Sequence, residues 1–133
     1  MLTYYCPNCW IELSGDEERC PGCGYDLRAF EDLPYPEKLI RALHHPIPER
    51  RVMAAQILGE LRCVEALPVF EHLVETLQDE AYDFYLLQAV LLATARIPDA
   101  RRVQVLQKAA HHPSALVASL AQRLLAEIEA LGE

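Results

Sequence analysis

From Glu37 onward, apolar residues recur along this chain at the three-and-four spacing of a helix. The densest run is 82–97, where Gln88 and Thr94 are the only polar residues between Leu86 and Ala95. A surface helix carries one apolar stripe, and a helix that is apolar nearly all round is buried. This run makes about four turns and is about 24 Å long, too short to span a bilayer. It is therefore expected at the centre of a helical stack, covered on several sides. The same periodicity predicts six helices, over about 36–45, 48–61, 65–79, 81–97, 99–111 and 114–131. The punctuation agrees. Each of the pairs His44-His45 and His111-His112 precedes a proline that ends a helix, Pro48 suits the first turn of the next, and Asp99 and Ser114 can act as N-caps.

The helices pair into a repeat of about 33 residues. Ala55, Ala89 and Ala121 lie 34 and 32 apart, and Leu58, Leu92 and Leu124 keep that spacing. Small residues at a fixed place allow close approach, and the leucines fill between helices. Three stacked hairpins make an α-solenoid, which needs about that number of repeats for stability.

The segment Arg51-Val52-Met53-Ala54-Ala55-Gln56-Ile57-Leu58-Gly59-Glu60-Leu61, followed by Ala66-Leu67-Pro68-Val69-Phe70, resembles the bacterial HEAT repeat helix and the start of its successor. Later copies depart from that pattern. Tyr85 and Val117 replace the arginine, and Ala93 and Leu125 replace the glycine. The resemblance implies a binding scaffold, with a minority of relatives acting as lyases on bilins or glycosylases on damaged bases.

Composition narrows the partners. The chain has 133 residues, a net charge of −8 and 52% hydrophobic residues, enough for a core and too many for disorder. Residues 1–33 carry seven acids against Arg19 and Arg28, a net of −5. The remainder carries thirteen acids and ten bases, a net of −3. Nucleic-acid binders present a basic surface to phosphates, so the balance weighs against nucleic acid. No secretory leader or membrane span is expected, and the chain reads as a soluble cytoplasmic protein.

The first residues carry the strongest chemical signal. Cys6-Pro7-Asn8-Cys9-Trp10-Ile11-Glu12-Leu13 is matched 14 residues later by Cys20-Pro21-Gly22-Cys23-Gly24-Tyr25-Asp26-Leu27. Two Cys-x-x-Cys pairs supply the four thiolates of a closed tetrahedral zinc site, with Cys6, Cys9, Cys20 and Cys23 as ligands. Two intervening residues turn the chain tightly, so that both sulfurs point inward and backbone N–H groups can donate to them. Pro7 and Pro21 preset φ in each turn, and Gly24 can take positive φ after the last ligand. About 28 residues bury too little apolar surface to fold alone, and a structural zinc contributes roughly 10–16 kcal/mol in such modules. Disulfides would require an oxidising compartment. A redox Cys-x-x-Cys would sit near a βαβ pattern, which is missing here. Iron in the same sulfur cage is the main competitor.

The doubled knuckle resembles the short zinc ribbons over residues 4–27. That family implies short strands flanking the knuckles and a docking module rather than an enzyme. Tyr4, Tyr5, Trp10 and Tyr25 are expected to cover the knuckles, with an aromatic docking face as the alternative. Asp16, Glu17 and Glu18 read as a solvated turn. Arg28 to Pro36 reads as an extended connector whose Phe30 and Leu33 lie on the first helix.

Other candidates for chemistry have ordinary readings. His44, His45, His111 and His112 suit the carbonyls and dipole of helix ends. His72 with Glu71 and Glu75 reads as a solvated face, and Cys63 as a small packed residue. Arg50-Arg51 and Arg101-Arg102 have acids close by, at Glu49 and Asp99. The last helix carries a broad apolar stripe, from Leu116 to Leu131, which suggests contact with a second copy or another protein.

The expected architecture is mainly α. It comprises a β zinc ribbon (1–28), a linker (29–36) and a HEAT-like solenoid of about six helices in three hairpins (37–133). The expected role is a zinc-binding, non-enzymatic adaptor that engages a protein partner. Nucleic-acid binding through the ribbon, and a HEAT-like lyase or glycosylase, are the rivals.

Overall fold

The computed structural model describes residues 4–131, with the side chains of Glu80 and Ala81 excepted. Two short strands, β1 (Tyr4–Tyr5) and β2 (Glu12–Leu13), pair antiparallel with Tyr4 opposite Leu13. Seven helices follow among the described residues: α1 (Leu27–Glu31), α2 (Tyr35–Ala42), α3 (Pro48–Glu60), α4 (Leu67–Thr76), α5 (Glu80–Arg96), α6 (Arg101–Ala109) and α7 (Ala115–Ala130). The chain is thus mainly helical, with a small N-terminal sheet.

α5 holds the centre, as its apolar circumference predicts. It packs against α3, α4, α6 and α7, and Leu87, Val90 and Leu91 are fully buried. Its buried Thr94 donates its hydroxyl to the Val90 carbonyl at 2.8 Å, so the polar group enters the core satisfied. α3, α5 and α7 form one row of packed helices, and α4 packs on α6 beside it. α2 packs on α3, and α6 on α7. One apolar cluster runs through all of them, from Leu39 to Ile128.

Gly59 sets the spacing of α3 and α5. A Cβ there would lie 2.7 Å from the Cα and Cβ of Ala93, so only glycine admits this approach. The leucine register differs from the sequence expectation. Leu92 is exposed, whereas Leu58, Leu91 and Leu124 are buried, and these three lie 33 residues apart at each step. Ala55, Ala89 and Ala121, spaced 34 and 32 apart, are all buried as expected, so only the leucine spacing through Leu92 matched letters rather than faces. One extra residue turns a helical side chain by about 100°.

The connector also differs. Leu27–Glu31 is helical because Asp26 caps it, accepting from the Arg28 and Ala29 N–H groups at 3.0 and 3.3 Å. Pro34 remains extended, with ψ of 149°, and α2 begins at once beyond it. Phe30 is tied to α2 by Lys38, whose ammonium lies 5.6 Å from the ring centroid. Lys38 also donates to the Glu31 carbonyl at 2.9 Å. The first predicted helix stops at Ala42 rather than residue 45, and the third begins as a 3₁₀ turn over Val64–Ala66.

α3 closes with a Schellman arrangement. Arg62, at φ 53°, donates its N–H to Gly59 O, and Cys63 donates its N–H to Leu58 O, both at 3.1 Å. This tucks Cys63 into the core, as expected. Its thiol donates to a Glu65 carboxylate oxygen at 3.5 Å and is pushed up by burial and by that neighbour. Ser114 caps α7 as expected, accepting from Val117 N–H at 3.4 Å. Asp99 serves α6 from one residue further out, accepting the Arg101 N–H at 2.9 Å, with Ala100 at the cap position. α7 turns Val117, Ala121, Leu124 and Ile128 inward and leaves Leu116 and Leu131 exposed. Among the described residues, no helix is long and apolar enough to cross a membrane.

Candidate metal centre

The two cysteine knuckles fold alike because each closes the same pair of backbone hydrogen bonds. In the first, Cys6 N–H donates to Ile11 O at 3.0 Å and Trp10 N–H to Cys6 O at 2.8 Å. In the second, Cys20 N–H donates to Tyr25 O at 3.0 Å and Gly24 N–H to Cys20 O at 2.9 Å. The leading cysteine of each knuckle, Cys6 or Cys20, is buried, and the trailing one, Cys9 or Cys23, is exposed. Backbone donors point at the leading sulfurs. Asn8 and Cys9 N–H lie 3.4 and 3.5 Å from Cys6 Sγ, and Gly22 N–H lies 3.3 Å from Cys20 Sγ.

The knuckles face each other so that the sulfurs cross-pair. Cys6 Sγ lies 3.7 Å from Cys23 Sγ, and Cys9 Sγ lies 3.6 Å from Cys20 Sγ. All four ligand atoms fall within 4.8 Å of one another. A tetrahedron with metal–sulfur bonds of about 2.3 Å has edges of about 3.8 Å, so the cluster fits a metal ion. The separations are far beyond a disulfide bond of about 2.05 Å, and all five cysteines are free thiols. The sequence-predicted quartet is therefore brought together as a candidate site. With four sulfurs, such a site leaves no position open for a substrate.

The thiols titrate unequally. Cys23 is pulled down to about 6, first by the Asn8 side-chain amide and then by the Tyr25 backbone N–H. Cys9 is pushed up to about 12. The Ile11 backbone favours its thiolate, but burial and the thiols of Cys20, Cys23 and Cys6 oppose it. A cation at the centre of the quartet would offset that crowding of negative charge.

Three residues of the ribbon take roles that the sequence did not single out. Asn8 Nδ2 reaches across the knuckles to Cys23 Sγ at 3.4 Å, giving this exposed sulfur a donor. Trp10 takes φ 64°, where the second knuckle has Gly24 at φ 79°. A non-glycine residue held there costs on the order of 1 kcal/mol. The legible signal was the mismatch of Trp10 against Gly24 between two otherwise matching knuckles. Glu17 is also structural rather than merely solvated. It accepts from Ser14 N–H at 3.0 Å, from the Ser14 hydroxyl at 2.9 Å and from Gly15 N–H at 2.9 Å. These bonds, led by that of the Ser14 backbone, pull its carboxyl down to about 2.

Three of the four ribbon aromatics meet the helical body, whereas the exposed Tyr4 ring lies over Gly15. His45, in the turn between α2 and α3, meets Tyr5 edge-on at 5.0 Å and Trp10 at 5.1 Å between ring centroids. Arg41 stacks its guanidinium 5.2 Å from the Tyr25 ring centroid. The His45 ring is held in place because its Nδ1 accepts the Ile47 N–H at 3.0 Å. That bond needs the neutral ring, and burial followed by the charges of Arg50 and Arg51 lowers the His45 pKa. His112 makes the same bond to Ser114 N–H at 3.0 Å, and its Nε2 meets the Leu77 carbonyl at 2.7 Å. Both histidines thus satisfy the N–H two residues on, rather than the last carbonyls of their own helix.

The other charged candidates are dispersed. Lys108 of α6 bridges Glu71, at 3.0 Å, and Glu75 of α4. Arg101 pairs with Asp99 at 3.2 Å, and His72 is exposed. A cavity of about 310 Å³ lies between α3 and α5, lined by Gln56, Glu60, Ala89, Leu92, Ala93 and Arg96. Met53 (57%), Tyr82 (85%), Tyr85 (72%) and Leu92 (41%) are exposed on the same helical phases of α3 and α5. The chain matches no known family model, no curated protein and no solved structure.

Proposed function

We propose that this chain is a zinc-ordered ribbon mounted on a HEAT-like α-solenoid, and that it acts as a non-enzymatic adaptor for another protein. In this reading Cys6, Cys9, Cys20 and Cys23 ligate one structural zinc ion. The hairpins are α2–α3, α4–α5 and α6–α7. Equal spacing of the buried Leu58, Leu91 and Leu124 supports the repeat. The observation that carries the metal is the sulfur quartet, whose cross-pairs lie at 3.6 and 3.7 Å. Four thiolates favour zinc, with iron in the same cage as the competitor.

The partner surface in this reading is the α3–α5 groove. Its open side carries Met53, Tyr85 and Leu92, the adaptable and aromatic side chains that anchor protein interfaces. Its charge is mixed, with Glu60 beside Arg96, which suits a protein better than a phosphate backbone.

The test uses the full chain, tagged and zinc-loaded, in extracts of its native cells. A protein retained by the parent chain and lost on the double substitution Tyr85→Ser, Leu92→Ser supports the adaptor. Retention of nucleic acid that elutes steeply with salt contradicts it. Elemental analysis separates the metals, since zinc gives a colourless protein and sulfur-bound iron a visibly absorbing one.

A further inference from the structure

We propose that the ribbon is the end-cap of the helical stack, and that its metal steadies the α2–α3 corner as well as the knuckles. Two corners of the body are built alike. His45-Pro46-Ile47 leads into α3, and His112-Pro113-Ser114 leads into α7. In each, the histidine Nδ1 accepts the N–H two residues on, at 3.0 Å. The difference lies in what covers the ring. At His112, the cover comes from the end of α4, whose Leu77 carbonyl meets Nε2 at 2.7 Å. At His45 no hairpin precedes α2 among the described residues, and the rings of Tyr5 and Trp10 take that place at 5.0 and 5.1 Å.

A stack of helical hairpins exposes an unpaired face at each end, and terminal units must close it. The ribbon supplies that closure with rings rather than with a helix. The left-handed backbone of Trp10 fits this role. In the second knuckle the matching position is glycine, and there a Cβ would meet nothing within 4 Å. In the first knuckle the strained position carries the largest side chain available, and its ring lies on His45. The cysteines frame both ends of this contact, since Tyr5 precedes Cys6 and Trp10 follows Cys9. An ion that fixes Cys6 and Cys9 therefore fixes the two rings over His45.

The inference rests on the metal-ordered ribbon proposed above, and the experiment separates the two. Trp10 is the single tryptophan in the chain, so its emission reports the contact directly. Full-length parent, His45→Ala and His45→Phe are compared with zinc and after chelation. Readouts are metal content, Trp10 emission and segment-resolved hydrogen exchange. His45→Ala should keep the parent's metal content, shift Trp10 emission to the red and speed exchange at the α2–α3 corner at least about tenfold, as expected for losing two edge-on ring contacts together with the acceptor of the Ile47 N–H. His45→Phe, which keeps a ring, should recover most of the emission. Chelating the parent should loosen the same corner and leave α6 and α7 unchanged. Parent-like emission and exchange in metal-loaded His45→Ala would overturn the end-cap. A corner indifferent to chelation would overturn the coupling. If the parent takes up no metal, the metal reading and the coupling fall together, and the His45→Ala arm alone then decides the ring contact.

Discussion

The ribbon and the helical body differ in what lies inside them. Between Tyr4 and Leu33, only Cys6, Pro7 and Cys20 are buried. From Leu39 to Ile128, the body buries one continuous apolar cluster with α5 at its centre. The ribbon therefore has no apolar core to hold it, and its inward groups are sulfurs that repel once ionised. The body has its own source of order in the hydrophobic effect. In the metal-ordered reading proposed above, one chain uses two sources of order, and the two regions meet at His45. Away from the His45 contact, substitutions in one region should leave the other's measure of order almost untouched.

The largest effect is expected from Leu91→Ala. Leu91 is fully buried in α5, and such truncations cost about 2–5 kcal/mol. Urea unfolding followed by circular dichroism should show that loss, with metal content per chain unchanged. Gly59→Ala comes next. Alanine is the better helix former by about 1 kcal/mol, but its Cβ would meet the Ala93 backbone at 2.7 Å. That contact is between helix backbones and has no flexible end to move aside. The net destabilisation should be about 1–3 kcal/mol, and a gain in stability would refute the close approach.

Asn8→Ala sharpens the comparison from the ribbon side. Removing the amide that reaches Cys23 Sγ should weaken metal binding about tenfold, the lower end for outer-shell partners. Competition with a chromophoric chelator would measure it, and the helical unfolding curve should not move. Affinity should fall as pH falls, because protons compete for the thiolates. The smallest effect is expected from Lys108→Ala. The Lys108 hydrogen bond, followed by its charge, holds the Glu75 carboxyl below its ordinary value. The pair's contribution is therefore present above about pH 4.3 and is lost as pH falls through the lower folded value. Both groups are at the surface, so the change in melting temperature should be slight and should vanish in high salt.

The parts legible in the sequence are those whose signal is local. The cysteine spacing gave the sulfur quartet, because four ligands in two turns leave little geometric freedom. The run from Leu86 to Ala95 gave the central helix, because no surface helix can be apolar all round. Ser114 gave the α7 cap by the same local logic. What escaped depends on contacts between distant residues. The register of Leu91 over Leu92 is decided by the packing of α5, since both residues are leucine. α1 escaped because the prolines at 34 and 36 suggested extension, while Asp26 as a cap with Leu27 and Phe30 favoured a turn of helix. His45 read as a helix-end residue because nothing near it in sequence announces Tyr5 and Trp10, some forty residues earlier. Glu17 read as solvated because its three donors arise only once the Ser14-Gly15 turn forms.

The most direct test of two separate sources of order is a heteronuclear amide spectrum of the full chain, recorded zinc-loaded and again after chelation under reducing conditions. The account predicts that amides of residues 4–27 collapse to random-coil shifts without the ion, while those of α3 to α7 stay dispersed. Knuckle amides that stay dispersed without metal, or helices that melt along with them, would contradict it.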